Sequence, residues 1–216
     1  MKKACIFDLD GTLLFTLDSM MRPANRMLRE LGLTEQPREA YRYFCGEGAA
    51  MLTKRALIAG GDPEASLFEK AYPLYLTYFE ADPLYQVEPF EGIPELLKEL
   101  KQRGIKLSVC SNKPAPGTQK IISTLFPGMF DFVVGQSDAL KRKPAPDMPL
   151  AVLSHLGITA QECLYIGDSG TDMQTGKAAG LKTIGVLWGY RTKEELLENG
   201  ADGLAETPKD ILAYLS

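Results

Sequence analysis

Two aspartates one residue apart follow an unbroken apolar run near the start of the chain. Asp8 and Asp10 come directly after residues 4–7, and Gly11 follows them. An extended chain has a side-chain period of two, so both carboxylates point to the same side. Two like charges held this close are costly unless a cation, a shared proton or basic groups relieve them. The pair therefore indicates a functional site.

Polar side chains also follow other strand-like runs of the chain. Ser111 and Asn112 come after residues 105–110, Asp168 comes after residues 163–166, and Lys143 lies in the loop after another apolar run. In open α/β sheets, ligands bind in the crevice beyond the carboxyl ends of the strands. The sequence therefore predicts that these side chains gather with the aspartate pair at one edge of a sheet.

The elements that would position these residues alternate along most of the chain. Apolar runs predict strands at 4–7, 105–110, 130–134, 163–166 and 182–186, with a short edge strand near 202–204. Helical patterns lie between and after them, at 93–103, 118–126, 147–156, 175–179 and 193–199. Strands that alternate with helices predict an α/β fold with a doubly wound parallel sheet.

The region just after the first strand departs from this alternation. Residues 16–82 contain no strand-like run, and their apolar spacing predicts helices at 19–31, 39–45, 49–59 and 63–79. Pro23 must lie in the first turn of its helix or kink it. We therefore predict an all-helical domain at 16–82, inserted into a core of residues 1–15 and 83–216, with hinges at about 14–18 and 81–90.

Composition excludes several classes of protein. The 216 residues are 45% hydrophobic and 24% charged, with a formal net charge of −4, as in ordinary globular proteins. This charge provides no basic surface for nucleic acid or an anionic membrane. The apolar run before Asp8 is too short for a signal peptide, and no run approaches a membrane span, so we expect a cytoplasmic protein. The four cysteines show no C-x-x-C spacing, and the single histidine, His155, excludes histidine-cluster mechanisms.

The polar residues together resemble the motifs of a known superfamily. Asp8-Leu-Asp10-Gly-Thr12 resembles the first motif of the haloacid dehalogenase-like superfamily. Ser111 matches the second motif, Lys143 before Pro144 the third, and the stretch 167–172 the fourth. The resemblance implies a Rossmann-like core with an inserted helical cap, and Mg²⁺-dependent hydrolysis of a phosphate ester.

The resemblance also implies a role for each residue. Asp8 would be the nucleophile that forms an aspartyl-phosphate, Asp10 the general acid and base, and Lys143 a charge that stabilises the phosphoryl oxygens. Mg²⁺ would bind the Asp8 carboxylate, the Asp10 backbone carbonyl and Asp168. The remaining candidates are Ser169 and Asp172 around the metal, and Ser111, Asn112, Gly46 and Gly48 around the substrate.

Within the superfamily, the sequence favours one substrate class and leaves others open. Dehalogenases usually replace the second aspartate, so Asp10 favours phosphate esters. The cap loop 44–48 and the segment 111–114 resemble bacterial phosphoglycolate phosphatases, which implies a small phosphorylated metabolite such as 2-phosphoglycolate. A sugar-phosphate mutase and a pyrophosphatase are alternatives, although Ala49 stands where mutases tend to carry a basic residue. We expect a monomer or homodimer.

Readings outside this superfamily fit less well. A Ca²⁺ loop starting at Asp8 would need glycine at its sixth position and a carboxylate at its twelfth, which is Ser19. Receiver domains are much smaller than this chain and lack a long helical insertion. A catalytically silent phosphate- or partner-binding module would be expected to have lost Asp8, Asp10 or Lys143. We therefore favour an enzyme.

Overall fold

A computed structural model describes all residues of the chain, from Met1 to Ser216. The chain forms two compact units. The α/β unit comprises Met1–Phe15 and Pro89–Ser216, and the helical unit comprises Thr16–Glu88. No helix combines the length and apolar character needed to cross a membrane.

The second boundary between the units lies six residues later than the 82/83 position predicted from the sequence. Residues 82–87 form a turn that packs on the helical unit. The Arg22 guanidinium lies 4.1 Å from the centre of the Tyr85 ring and 3.4 Å from Asp82 Oδ2. These contacts, which sequence periodicity does not reveal, keep the turn with the helices.

The chain contains eight strands, six of which build the main sheet. In chain order they are β1 Ala4–Phe7, β2 Leu14–Phe15, β3 Glu88–Pro89, β4 Lys106–Pro114, β5 Phe132–Gln136, β6 Cys163–Gly167, β7 Lys182–Val186 and β8 Gly203–Ala205. The main sheet has the order β5-β4-β1-β6-β7-β8 and is parallel throughout. The doubly wound parallel sheet predicted from the sequence is confirmed. The strands β2 and β3 form a separate two-stranded sheet.

Nine helices complete the two units. The helical unit contains α1 Leu17–Glu30, α2 Arg38–Phe44, α3 Ala49–Gly60 and α4 Phe68–Ala81. The α/β unit contains α5 Ile93–Gln102, α6 Ala115–Leu125, α7 Asp147–Leu156, α8 Gly170–Ala178 and α9 Lys193–Glu198, and 3₁₀ helices at Ala160–Glu162 and Pro208–Tyr214.

Strand β1 lies at the centre of the sheet, and its position determines where a ligand could bind. It pairs with β4 on one side and with β6 on the other, so that Phe7 is in register with Val109 and Ile166. The strand order reverses direction at β1, which is the point where open α/β sheets form a crevice. All four β1 residues are fully buried.

Several predicted element boundaries were wrong because local side-chain bonds decide them. Helix α4 begins at Phe68 rather than 63, since the Asp62 carboxylate accepts hydrogen bonds from the backbone N–H groups of Ser66 and Leu67, each at 2.9 Å, and closes a turn. Helix α8 begins at Gly170 rather than 175, capped by the Ser169 hydroxyl. Pro23 lies in the interior of α1, beyond its first turn.

The four cysteines lie in the protein interior, and the single histidine, His155, lies on the surface. All four cysteines are free and buried. Burial raises the pKa of Cys163 to about 12, so its thiol stays protonated at neutral pH. The His155 ring stacks on Phe132 with 4.1 Å between ring centres.

Candidate active site

The first aspartate is held at the carboxyl end of the central strand. The Asp8 backbone N–H donates to the Ile166 carbonyl at 2.9 Å, which extends the pairing of β1 with β6. The side chain is 8% exposed. Gly11 follows with φ +85°, and a Cβ there would collide with the Asp168 carboxylate. Glycine at this position therefore lets the Asp8–Asp10 turn approach Asp168 closely.

Lys143 joins two buried carboxylates. Its Nζ lies 2.7 Å from Asp8 Oδ1 and 2.7 Å from Asp172 Oδ1, and the lysine is 2% exposed. Burial alone would lower the pKa of this amine, but the charges of Asp172 and Asp8 outweigh it and raise the pKa well above its usual value. Lys143 therefore stays charged beside the candidate nucleophile.

Asp172 holds this arrangement through both of its carboxylate oxygens. Its Oδ2 accepts from the Ser169 N–H at 3.1 Å and from the Ser169 hydroxyl at 2.6 Å, while Oδ1 also accepts from the Tyr165 hydroxyl at 3.4 Å. A Cβ at Gly167 would collide with the Asp172 side chain. Asp172 and Ser169 thus fix the position of Lys143, in addition to lying near the predicted metal site.

Asp168 completes an acidic cluster. Its Oδ2 accepts from the Tyr190 N–H at 2.7 Å. Burial, and then the charge of Asp172, raise the pKa of Asp168 to about 7. Burial and the same neighbour raise the pKa of Asp8 well above its usual value. Their carboxylate oxygens and one of Asp172 lie within 4.8 Å of one another.

This cluster fits a hard divalent cation. Three buried carboxylates lie together beside the Lys143 ammonium, and burial, followed by the negative charge of Asp172, raises the pKa values of Asp8 and Asp168. Oxygen donors are those that Mg²⁺ prefers. The predicted ligands were the Asp8 carboxylate, the Asp10 backbone carbonyl and Asp168, and the structure places the Asp172 carboxylate beside the two carboxylates of that set. The donation from the Asp10 backbone carbonyl stays a prediction.

The Asp10 carboxylate pairs with a lysine that the sequence analysis did not assign. Lys113 Nζ lies 2.9 Å from Asp10 Oδ1, and the two side chains are 4% and 13% exposed. Lys113 follows Ser111 by two residues at the carboxyl end of β4, where open α/β sheets bind their ligands. That spacing is a signal that could have identified Lys113 from the sequence.

Asn112 braces the loop that carries Lys143. Its Nδ2 donates to the Lys143 carbonyl at 3.1 Å, and its Oδ1 accepts from the Lys143 N–H at 2.8 Å. Ser111 Oγ accepts from the Lys113 N–H at 3.1 Å. The substrate contacts predicted for Ser111 and Asn112 stay predictions, and Asn112 has this clear positioning role as well.

Gly46 and Gly48 belong to the helical unit. Both have positive φ, +104° and +88°, which favours glycine. The Arg55 guanidinium supports this loop by donating to the Tyr43 and Phe44 carbonyls, each at 3.2 Å, and by pairing with Glu47. Substrate contacts of the two glycines stay predictions.

Comparison with known proteins decides the family. The model of the haloacid dehalogenase-like hydrolase family matches residues 5–186, a range that contains every motif residue discussed above. The chain belongs to the haloacid dehalogenase-like hydrolases. The resemblance found in the sequence and the expectation of a hydrolase are confirmed.

Individual relatives within the haloacid dehalogenase-like hydrolases match most of the chain. The chain is 36% identical to the phosphoglycolate phosphatase of Rhodospirillum rubrum, over 93% of this chain and 86% of the relative. It is 34% identical to the phosphoglycolate phosphatase of Pseudomonas putida, over 86% and 69% respectively. The crystal structure of CbbY from Rhodobacter sphaeroides in complex with phosphate superposes with a TM-score of 0.81 at 26% identity, covering 100% of this chain and 99% of CbbY.

Proposed function

We propose that this protein is a Mg²⁺-dependent phosphatase that hydrolyses small phosphomonoesters, with 2-phosphoglycolate as the preferred substrate. The observation that carries the proposal is the buried ion pair between Lys143 and Asp8, at 2.7 Å, beside the Asp168 carboxylate. A charged lysine beside a carboxylate nucleophile suits attack on an anionic phosphoryl group. The names of the relatives supply the substrate class.

The first half of the reaction transfers the phosphoryl group to the protein. An oxygen of the Asp8 carboxylate attacks phosphorus, and the bond from phosphorus to the ester oxygen breaks. Asp10 gives its proton to that oxygen, and the alcohol leaves. Lys143 stays at hydrogen-bond distance from Asp8 and stabilises the negative charge of the phosphoryl oxygens.

The second half regenerates the enzyme. The Asp10 carboxylate takes a proton from water as the water oxygen attacks phosphorus, and the bond from phosphorus to Asp8 breaks. Inorganic phosphate leaves, and Asp10 is again protonated. Mg²⁺ held by Asp8, Asp168 and the Asp10 carbonyl would supply further charge compensation for the phosphoryl oxygens. A role of the helical unit as a cap, with Gly46 and Gly48 near the leaving group, is part of the same proposal.

A phosphate-release screen with Mg²⁺ over phosphorylated metabolites tests the substrate. We expect 2-phosphoglycolate to give the highest kcat/KM. Sugar bisphosphates belong in the panel, since a structure 25% identical to this chain is that of CbbY with xylulose-(1,5)bisphosphate. Phosphoproteins or long nucleotides as the best substrates would overturn the proposal.

Acid quench during turnover tests the intermediate. The peptide that contains Asp8 should carry one phosphoryl group by mass spectrometry, and the Asp8→Asn variant should show neither this adduct nor turnover. More than about one per cent residual activity in pure Asp8→Asn would argue against covalent catalysis. Cytoplasmic location and a monomeric or homodimeric state stay predictions.

A further inference from the structure

The proposed mechanism leaves one buried cation of the site without a function. Lys113 pairs with Asp10 at 2.9 Å, and its side chain is 4% exposed. Its backbone is fixed at the end of β4: the N–H donates to Ser111 Oγ at 3.1 Å, and the carbonyl accepts from Thr118 Oγ1 at 3.1 Å. The strand end therefore anchors the backbone of Lys113, and burial together with the Asp10 pair restrains its ammonium more than that of a surface lysine.

The two lysines of the site divide it into two sides. Lys143 contacts Asp8 and Asp172, on the side where the phosphoryl group is transferred. Lys113 contacts Asp10, the residue that gives its proton to the leaving oxygen in the proposed reaction. Because Asp10 contacts the leaving oxygen in that reaction, Lys113, at hydrogen-bond distance from Asp10, lies beside the alcohol part of the substrate. In 2-phosphoglycolate, one methylene carbon separates the ester oxygen from a carboxylate.

We propose that Lys113 forms an anion subsite for the leaving group and binds the carboxylate of a 2-phosphocarboxylic acid. The proposal deepens the proposed function and rests on the role of Asp10 given there. An ammonium has three N–H donors, so Lys113 can keep its bond to Asp10 while it donates to the carboxylate of the substrate. Selectivity for a carboxylate-bearing alcohol then comes from the α/β unit.

Arg55, the basic side chain beside the Gly46–Gly48 loop of the helical unit, has a structural role. Arg55 donates to the Tyr43 and Phe44 carbonyls and pairs with Glu47, so its guanidinium supports the Gly46–Gly48 loop. Binding a substrate carboxylate there would compete with these contacts. Lys113 Nζ already pairs with a carboxylate, that of Asp10, within the α/β unit.

A comparison of two substrates in two proteins tests the subsite. Ethyl phosphate has a methyl group where 2-phosphoglycolate has its carboxylate. The ratio of kcat/KM for 2-phosphoglycolate to that for ethyl phosphate should fall about 10²-fold in Lys113→Met, as for other truncated buried charge pairs. If Lys113 only positioned Asp10, both substrates would lose activity by the same factor and the ratio would not change.

Binding of non-hydrolysable analogues separates this proposal from the proposed function. Calorimetry in the presence of Mg²⁺ compares the binding of 3-phosphonopropionate with that of propylphosphonate, which lacks the carboxylate. Neither phosphonate has an ester oxygen, so neither needs a proton from Asp10. Wild type should prefer 3-phosphonopropionate, and Lys113→Met should lose that preference about 10²-fold. Lys113→Arg should keep most of it. Lys120→Met, an exposed lysine on α6, is the matched control and should change neither ligand.

Each outcome bears on one proposal or the other. Equal affinity of wild type for the two phosphonates, or a preference that survives in Lys113→Met, would overturn the subsite even if the enzyme hydrolyses 2-phosphoglycolate. A preference that depends on Lys113, in a protein that turns over no phosphomonoester, would support the subsite and refute the phosphatase. If Lys113→Met fails to fold by circular dichroism, Lys113→Gln takes its place in both experiments.

Discussion

Replacing Lys143 by methionine should affect both the rate and the stability of the protein. Methionine keeps the length of the side chain but removes the charge that contacts Asp8 and Asp172. Loss of an electrostatic stabiliser of this kind costs about 10²–10³ in kcat. We therefore expect kcat for 2-phosphoglycolate to fall by that factor, measured by phosphate release at saturating Mg²⁺.

The stability change follows from the two contacts of 2.7 Å. At an effective dielectric constant of about 20, each pair contributes a gross attraction of about 6 kcal/mol, most of which offsets the cost of burying the charges. Breaking a buried pair by removing one partner costs about 3–5 kcal/mol net. For a chain of this size, that loss corresponds to a fall in Tm of about 6–20 °C, measured by calorimetry without metal.

A second substitution shows whether uncompensated charge causes the loss. Asp172→Asn, added to Lys143→Met, removes one of the two carboxylates left without their cation. The double variant should recover part of the lost Tm while its activity stays low. The matched control is Lys141→Met, an exposed lysine of the same loop, which should behave as wild type. Additive losses of Tm in the double variant, or a kcat of Lys143→Met within about threefold of wild type, would refute the reasoning.

Three further experiments address the acid, the metal and the sheet. Asp10→Asn should slow hydrolysis of alkyl phosphates about 10²–10⁴-fold. It should slow hydrolysis of an activated aryl phosphate much less, because that leaving group needs no proton. Equal losses of rate for the two kinds of substrate would exclude the acid role. EDTA should abolish phosphate release and Mg²⁺ restore it, whereas Ca²⁺, with its larger and looser coordination, should not; full activity with Ca²⁺ would contradict this. Burial raises the pKa of Asp202, but hydrogen bonds from Lys177 and Thr183 outweigh it and lower the pKa. Its charge therefore stabilises the fold above the unfolded pKa of about 3.9, and this contribution is lost as pH falls through the lower folded pKa. Asp202→Asn should cost about 1–2 kcal/mol in urea unfolding at pH 7, and the difference from wild type should shrink in acid; a loss of equal size at pH 7 and pH 3 would disprove the charge effect.

The sequence predicted the sheet and the residues at its edge because both depend on local patterns. Buried parallel strands are short apolar runs, and the carboxyl ends of parallel strands meet at one edge. Asp8 and Asp168 follow such runs directly, so their neighbourhood could be inferred without knowing the strand order. The motif resemblance then supplied the roles.

Contacts between distant parts of the chain could not be predicted in this way. The bond of Asn112 to Lys143 joins residues 31 apart, and the Lys113–Asp10 pair joins residues 103 apart. Both depend on the register and twist of neighbouring strands and on side-chain rotamers. The start of α4 was misplaced for a different reason, since the Asp62 carboxylate competes for backbone N–H groups that helical periodicity would assign to the helix.

The two points where the chain leaves and re-enters the α/β unit lie side by side. The Phe90 N–H donates to the Leu13 carbonyl at 3.1 Å, and the Phe15 and Phe90 rings meet edge to face with 6.0 Å between centres. A segment whose two ends are held together in this way can be exchanged without opening the sheet that receives it. Evolution could thus fit different helical inserts to one hydrolytic core. A chimera in which a relative's insert replaces residues 16–88 should keep the core fold and acquire the donor's substrate range.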